Sequence, residues 1–378
     1  MKTIESMEIY FELVPDKRRK SHITYKLSEI LFVLVCGMLC GLSGYEEIAD
    51  MAEMRWDFFR KHIKNERPPC AAMLCNVLRH INAERLELCL HGIFRNIFGI
   101  TPPSKERQIN IDGKTICGEN SIHIVTAMLA DEYLSIGQVV VGEKTNEIPA
   151  VRELLDLLDI EDDIISADAM HCQTDTVRKI IEKKGDYVLQ VKKNQRNLYE
   201  DIEGLFGLAK ITNIHETIDR NHGRIEKRIC RLLPDEMADP GYFCDWAELK
   251  RIFSVERITE KNGKVSQETS YYISSKATTA ENLLSYTRKH WQIESFHWIL
   301  DKVMGEDGSF TRDKNAQDCM NRMRKFAVAV MKKYIEQAQP KKKSISGNMR
   351  LCLLSANYLE KVIDFFLRVF LLHLCYVD

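Results

Sequence analysis

Residues 108–191 alternate between strand-like and helix-like patterns in an order that few folds can accommodate. Short apolar runs suited to strands recur there, and segments with helical spacing separate the later ones. The predicted strands are 108–112, 121–130, 135–141, 163–168 and 186–191, and the predicted helices are 148–158 and 172–184. Three strands in a meander followed by α/β crossovers predict a mixed sheet flanked by helices.

The segments on either side of this region have a different character. The first 100 residues have helical patterns at 48–60, at 71–91 and around a set of apolar residues, Leu27, Ile30, Leu31, Leu34 and Val35. Residues 213–275 have strand character with turns such as Lys261-Asn262-Gly263, and helices resume at about residue 278 and again at 316–337. The chain is therefore predicted to be α/β, with an N-terminal helical region and a second β-rich segment.

Charge is nearly balanced along the chain, with 54 basic and 55 acidic residues. A dedicated nucleic-acid-binding protein is often strongly basic overall, so any attraction to DNA must come from local clusters. One cluster is Lys-Arg-Arg-Lys at 17–20, which is either a solvated N-terminal segment or a phosphate contact.

Cysteine spacing and the lengths of the apolar runs indicate the cellular compartment of the protein. The twelve cysteines include no Cys-x-x-Cys pair, so free thiols in a reducing cytoplasm are expected rather than a zinc knuckle. The longest apolar run, 30–42, is shorter than the roughly 20 residues that cross a bilayer. Asp364 and Arg368 interrupt the apolar segment at 362–377, so it is predicted to be a core helix. We expect a cytoplasmic protein without a membrane segment.

Two aspartates stand at the ends of predicted strands. Asp112 precedes Gly113, and Asp168 ends the strand 163–168. If these strands are neighbours, the two carboxylates meet, and a divalent cation such as Mg²⁺ relieves their repulsion. Each residue also has an ordinary interpretation, because Asp before Gly is a common turn residue and Asp168 is a possible helix N-cap.

Glu294 lies in an unusual helical setting. His290 and Trp291 are its i−4 and i−3 neighbours, and His297 and Trp298 are its i+3 and i+4 neighbours. One alternative is a rim glutamate beside two core tryptophans. Another is a zinc site formed by His290, Glu294 and His297, for which the sequence offers no evident fourth ligand.

Six motifs in fixed order carry a family resemblance. They are INIDGKT at 109–115, EKTNEI at 143–148, DAMHCQ at 168–173, GDYVLQVKKNQ at 185–195, HGRIE at 222–226, and HWQIE at 290–294 followed by HWILD at 297–301. Together they resemble the H-repeat-associated branch of the DDE transposases of bacterial insertion sequences. The resemblance extends from about residue 11 to about residue 363.

The resemblance implies a ribonuclease H-like core and its chemistry. Asp112, Asp168 and Glu294 match the catalytic carboxylates that hold two Mg²⁺ ions, for which Mn²⁺ is expected to substitute. The implied organisation is an N-terminal helical domain at 1–101 that helps bind DNA ends, a core at 104–210 and 277–340, a β-rich insertion at 211–276, and a helical tail at 341–378.

The resemblance also implies double-stranded DNA as partner, both the element's terminal repeats and the target, and a homodimer on that DNA in the bacterial cytoplasm, with the nucleoid. The residues that we expect to contact DNA are Lys192, Lys193, Arg196, Arg224, His290 and Trp291.

The sequence departs from the wider superfamily around Glu294. Thr287, His290 and Asp301 stand where that superfamily has Tyr, Arg and Lys, and Lys302 lies one residue past the lysine position. The tail 365–378 also differs from the family pattern. Two alternatives therefore stay open: a metal-dependent DNA nuclease on the same fold, and a degenerate copy that binds DNA without catalysis.

Overall fold

The computed structural model describes residues 10–18, 23–98, 106–117, 121–142, 146–221, 223–308 and 311–374. Residues 19 and 20 of the basic cluster and residues 143–145 and 222 of the motifs lie outside these ranges. Within 23–98 the chain forms α1 (Leu27–Leu39), α2 (Tyr45–Met54), α3 (Trp56–Phe59), α4 (Ala71–His80) and α5 (Ala83–Phe98). The predicted helix at 71–91 is two helices, because Asn82 caps a new one by accepting a hydrogen bond from the Arg85 amide at 2.7 Å.

The predicted mixed sheet is present with helices on its faces. Its first part comprises β1 (Gln108–Ile116), β2 (Ile122–Leu129), β3 (Leu134–Val141), β4 (Ile164–Ala167) and β5 (Asp186–Val191), with α6 (Glu147–Leu157), α7 (Thr174–Glu182) and α8 (Arg196–Leu208). β1, β2 and β3 form an antiparallel meander, whereas β1, β4 and β5 are parallel.

The β-rich segment continues this sheet. Its strands are β6 (Asn213–Asn221), β7 (Arg224–Leu232), β8 (Arg251–Lys261) and β9 (Lys264–Ser274). Because β9 pairs antiparallel with β5, the described strands form one sheet in the order β3-β2-β1-β4-β5-β9-β8-β7-β6. The predicted fold class, a ribonuclease H-like mixed sheet with a β-rich insertion and an N-terminal helical region, is confirmed.

One prediction about β1 is wrong. The sequence suggested that the strand ends at Asp112, since Asp-Gly is a turn signal, but β1 continues to Ile116. Asp112 pairs with Thr126 and Gly113 with Val125 in an unbroken antiparallel register with β2. The long partner strand overrides the local turn preference, so Asp112 projects from a strand and not from a loop.

The C-terminal helices complete the core. They are α9 (Ala280–Trp298), which continues as a π-helical turn (Ile299–Val303), then α10 (Lys314–Ala338), α11 (Ile345–Leu354) and α12 (Ala356–Leu374). α10 packs against α1, α4 and α5 as well as β3, so N-terminal helices and sheet share one apolar core. Among the described residues, no helix is long and apolar enough to span a bilayer. The domain boundaries given above stay a prediction.

Candidate active site

The sheet brings Asp112 and Asp168 to neighbouring positions. β1 and β4 are adjacent and parallel, with Ile111 opposite Ala167. The residue that follows each of these is an aspartate. Asp112 and Asp168 therefore lie side by side, with their backbones about 4.8 Å apart. Asp112 is one-fifth exposed and Asp168 is more than half exposed. Both predicted carboxylates therefore lie where β4 ends.

The helix α9 lies across β1 and carries Glu294 to the same place. Two buried amides on β1 hold the helix backbone: Asn110 donates to the Lys289 carbonyl at 2.7 Å, and Gln108 donates to the Tyr286 carbonyl at 2.9 Å. Burial raises the pKa of Glu294, and the negative charges of Asp168 and Asp112 add to the rise against the opposing effect of His290. The three carboxylates thus lie within electrostatic reach of one another.

Two histidines of α9 face the two aspartates. His290 Nε2 is 3.3 Å from Asp168 Oδ1, and His297 Nδ1 is 3.2 Å from Asp112 Oδ2. The hydrogen bond with His290 lowers the pKa of Asp168, against the effect of burial, and the charges of His290 and Lys192 lower it further. Although we predicted a DNA contact for His290, its described side-chain contact is with the Asp168 carboxylate.

The three carboxylates are of the chemical type that binds a divalent ion. Carboxylate oxygens are the ligands that Mg²⁺ and Mn²⁺ prefer, and the sheet and α9 supply three of them. As they stand, however, the two aspartates turn toward histidines, and no group of three His, Cys, Asp or Glu side chains in the described residues is gathered around a single point. The alternative zinc site of His290, Glu294 and His297 is not formed either, since each histidine faces a different aspartate.

A cleft opens beside Asp168 and Glu294. It has a volume of about 230 Å³ and lies between α9, the end of β5 and the strands β7 to β9. Four cationic side chains line it, namely Lys192, Arg228, Arg257 and Arg288. Cationic side chains are therefore gathered next to the carboxylates, where three of them also pair with acidic residues: Arg228 and Arg288 with Asp219, and Arg257 with Glu268.

Only Lys192 of these four cations was predicted. Arg228 and Arg257 are directly opposite each other on β7 and β8, which places two like charges together. Asp219 accepts from Arg228 at 2.7 Å, and Glu268 accepts from Arg257 at 2.8 Å, so acidic neighbours offset part of the repulsion. The signal that could have identified the pair is the β7–β8 register, which the sequence pattern alone does not specify.

Trp291 forms a wall of the cleft. Its side chain is 51% exposed, and the Arg257 guanidinium lies 5.3 Å from its ring centroid. Trp298 is also exposed, at 59%. The alternative in which both tryptophans pack in the core is therefore wrong, and Trp291 presents an accessible aromatic face beside a cation.

The remaining predicted DNA contacts lie outside the cleft. Lys193 is exposed on the short turn after β5. Arg196 pairs with Glu200 at 2.7 Å on the exposed surface of α8. Arg224 pairs with Glu226 at 2.9 Å and begins β7, four residues or about 13 Å from Arg228.

Comparison with known proteins identifies relatives along most of the chain. The family described as "Transposase DDE domain" matches residues 96–330, and the family described as "DDE_Tnp_1-associated" matches residues 9–92. The chain is 31% identical over 374 residues to "H repeat-associated putative transposase YhhI" of Escherichia coli strain K12, covering 94% of this chain and 96% of that one. It is 32% identical over 384 residues to "Putative transposase YncI" of Escherichia coli O157:H7, covering 96% and 95%. Over 53 residues, 14% of this chain and 63% of the other, it is 32% identical to "Inactive transposase YbfQ" of strain K12.

Proposed function

The chain belongs to the family of transposases with a DDE domain, and from this membership we propose that it cuts DNA at the ends of an insertion sequence and joins them to target DNA. Asp112, Asp168 and Glu294 are the proposed ligands of two divalent ions, Mg²⁺ or Mn²⁺. The single observation that supports this best is that one carboxylate from β1, one following β4 and one from α9 lie within electrostatic reach of one another, beside a cleft lined by four cationic side chains.

The proposed reaction is an in-line phosphoryl transfer in two stages. Divalent ions, when bound, supply activation of the attacking water and neutralisation of charge on the leaving 3′-oxygen. The freed 3′-hydroxyl then attacks a phosphodiester of the target DNA and displaces the 3′-hydroxyl of the target strand, with no covalent enzyme intermediate. Since positioning and charge neutralisation supply most of the catalysis in such transfers, the protein must hold its ligands and its DNA rigidly.

The surrounding side chains have proposed supporting roles. His290 and His297 orient the carboxylates of Asp168 and Asp112, with which they are in contact. Lys192 and Arg257 contact phosphates along the cleft, and the exposed face of Trp291 stacks against a base. Lys193 extends the same basic surface.

The wider setting is part of the proposal. The DNA is double-stranded, both as terminal repeats and as target, and the protein acts as a homodimer on it in the cytoplasm. The N-terminal helices contribute to binding the repeats, in keeping with the separate associated family that matches residues 9–92.

The test is cleavage of labelled DNA that carries the terminal repeats flanking the gene, with purified protein and Mg²⁺. We expect the parent to cleave, and Asp112→Ala, Asp168→Ala and Glu294→Gln each to bind this DNA without cutting it. Glu281→Gln, an exposed glutamate near the start of α9, is the matched control and should cleave at the parental rate. A carboxylate variant that cleaves like the parent would show that the residue is misassigned.

A second assay separates the proposal from its two rivals. Pre-cleaved ends with a free 3′-hydroxyl are mixed with target DNA and Mg²⁺. Joined products support the transposase. Cleavage without joining would support a nuclease on the same fold, and binding without either reaction would support a degenerate copy.

A further inference from the structure

Glu147 occupies a place that the proposed mechanism does not use. It is in the first turn of α6, and its carboxyl group lies against the backbone of β1 beside Asp112. A Cβ atom added to Gly113 would come within 2.5 Å of Glu147 Cδ. Real Cβ atoms do not approach so closely, so a side chain at position 113 would displace this carboxylate.

Two histidines contact the two oxygens of this carboxylate. His123 Nε2 on β2 is 2.7 Å from Oε1, and His171 Nε2 is 3.4 Å from Oε2. The other ring nitrogen of His123 is 2.8 Å from the Thr115 hydroxyl, which fixes the ring orientation. We call Glu147, His123 and His171 the Glu147 bridge. The bridge joins β1, β2 and the segment after β4.

His171 connects the bridge to a catalytic carboxylate. Its side chain is completely buried, and its backbone amide donates to the Asp168 carbonyl at 2.9 Å, closing the short turn Ala169–His171. Burial lowers the pKa of His171, although the negative Glu147 opposes the change. Asp168 itself is more than half exposed, so its position depends on the turn that it begins.

The opposite side of this turn is also held. Asn194 donates to the Ala169 carbonyl at 2.8 Å, and Gln195 donates to the Cys172 carbonyl at 2.9 Å. Asn194 and Gln195 are the last two residues of the motif at 185–195, in which only the lysines had a proposed role. The turn is therefore hydrogen-bonded on one side to the residues that follow β5, and on the other side its His171 lies 3.4 Å from the Glu147 carboxylate.

We propose that Glu147 is a positioning residue that holds the turn after Asp168 against β1, beside Asp112. It contacts the strand of the first aspartate and, through His171, holds the turn of the second. Groups that orient metal ligands from behind typically change metal affinity or activity by about 10- to 100-fold when they are removed. This inference rests on the proposed function, because it assigns Glu147 a role toward the same divalent ions.

The test compares Glu147→Gln with the parent and with Glu153→Gln, an exposed glutamate on the same helix. Mn²⁺ binding to DNA-free protein is followed by the electron paramagnetic resonance signal of the free ion. Thermal unfolding and the Mg²⁺ dependence of cleavage are measured alongside. We expect Glu147→Gln to stay folded and to weaken Mn²⁺ binding about 10-fold or more. Cleavage should need correspondingly more Mg²⁺ and recover at saturation, and Glu153→Gln should match the parent.

A second variant gives an independent reading of the same contact. Gly113→Ala adds the Cβ that displaces the Glu147 carboxylate, and it should weaken Mn²⁺ binding in the same direction. A purely structural role predicts a lower melting temperature with unchanged Mn²⁺ affinity of the folded protein, and that result would overturn the inference. Parental affinity in Glu147→Gln, with both proteins cleaving DNA, overturns the inference and leaves the proposed function standing. A parent that neither binds Mn²⁺ nor cleaves overturns both.

Discussion

Glu306 is a completely buried carboxylate whose removal should be costly. It forms ion pairs with Lys114, which is on β1, and with Arg324, which is on α10, and it accepts a hydrogen bond from Asn321 at 2.8 Å. Arg324 also donates to the Ser43 carbonyl at 2.8 Å, so this cluster joins the N-terminal helices to the sheet. Glu306→Gln keeps the shape and leaves two buried cations without their shared partner.

The expected loss of unfolding free energy in Glu306→Gln follows from the burial of this carboxylate. Breaking a buried ion pair by removing one partner typically costs about 3–5 kcal/mol. Lys114 keeps its contact with Asp301, so we expect the lower end, about 3 kcal/mol. For a chain of 378 residues, with an unfolding entropy of about 0.8 kcal/mol/K, that loss lowers the melting temperature by about 4 °C. Circular dichroism during thermal and urea unfolding measures both quantities.

Asp307 provides a matched control. It lies 3.9 Å from the same Lys114 ammonium, but its side chain is 40% exposed. Exposed pairs contribute about 0–1 kcal/mol, so Asp307→Asn should unfold almost as the parent does. If Glu306→Gln destabilises no more than Asp307→Asn does, the reasoning about the buried cluster is refuted.

The same pair of proteins makes a pH prediction. Burial alone would raise the pKa of Glu306, but the charges of Arg324 and Lys114 outweigh it and lower the pKa. A carboxylate with a lowered folded-state pKa contributes stability that is complete above its unfolded value of about 4.3 and is lost as pH falls through the folded value. The gap in unfolding free energy between parent and Glu306→Gln should therefore be constant above about pH 5 and close at lower pH.

Three further predictions concern separate parts of the molecule. Arg257→Ala should reduce the slope of log affinity against log salt for DNA by about 0.9, one phosphate contact, as measured by fluorescence anisotropy at several KCl concentrations. Burial lowers the pKa of Lys325 to about 7, so the parent's free energy of unfolding should increase through this lysine as pH rises from 7 toward 10. Lys325→Met should not show this increase when urea unfolding is measured at each pH. Gly37→Ala should destabilise the N-terminal helices by about 1–3 kcal/mol in the same assay, because its Cβ would lie 2.6 Å from Ile48 Cγ1.

Local patterns predicted most of the elements correctly. The turn at Lys261-Asn262-Gly263 is an example, because Asn262 and Gly263 both have positive φ, at 51° and 73°, as the tight turn between β8 and β9 requires. The order of strands and helices between 108 and 191 likewise predicted the mixed sheet. These features depend on neighbours in sequence, which is why the pattern alone was sufficient.

Features that depend on distant contacts were missed or misinterpreted. Gly113 looked like a turn residue, and the sequence pattern did not show that the Glu147 carboxylate lies against it. Arg228 and Arg257 became part of the cleft through the β7–β8 register. His290 was assigned to DNA because the pattern around Glu294 could not show that Asp168 lies opposite it. In each case the partner comes from another element, which a local sequence pattern does not specify.

In the proposed function, the carboxylates of Asp112 on β1, Asp168 after β4 and Glu294 on α9 bind the divalent ions that drive strand cleavage. A ligand exchange tests it most directly. Asp168→Cys replaces an oxygen ligand with a sulfur ligand, which Mn²⁺ accepts more readily than Mg²⁺ does. Cleavage of a labelled element end is compared in the two metals, with Glu281→Cys as control. We expect Asp168→Cys to be inactive with Mg²⁺ and to regain cleavage with Mn²⁺, while the control cleaves with both metals. Parental cleavage by Asp168→Cys with Mg²⁺ would contradict it.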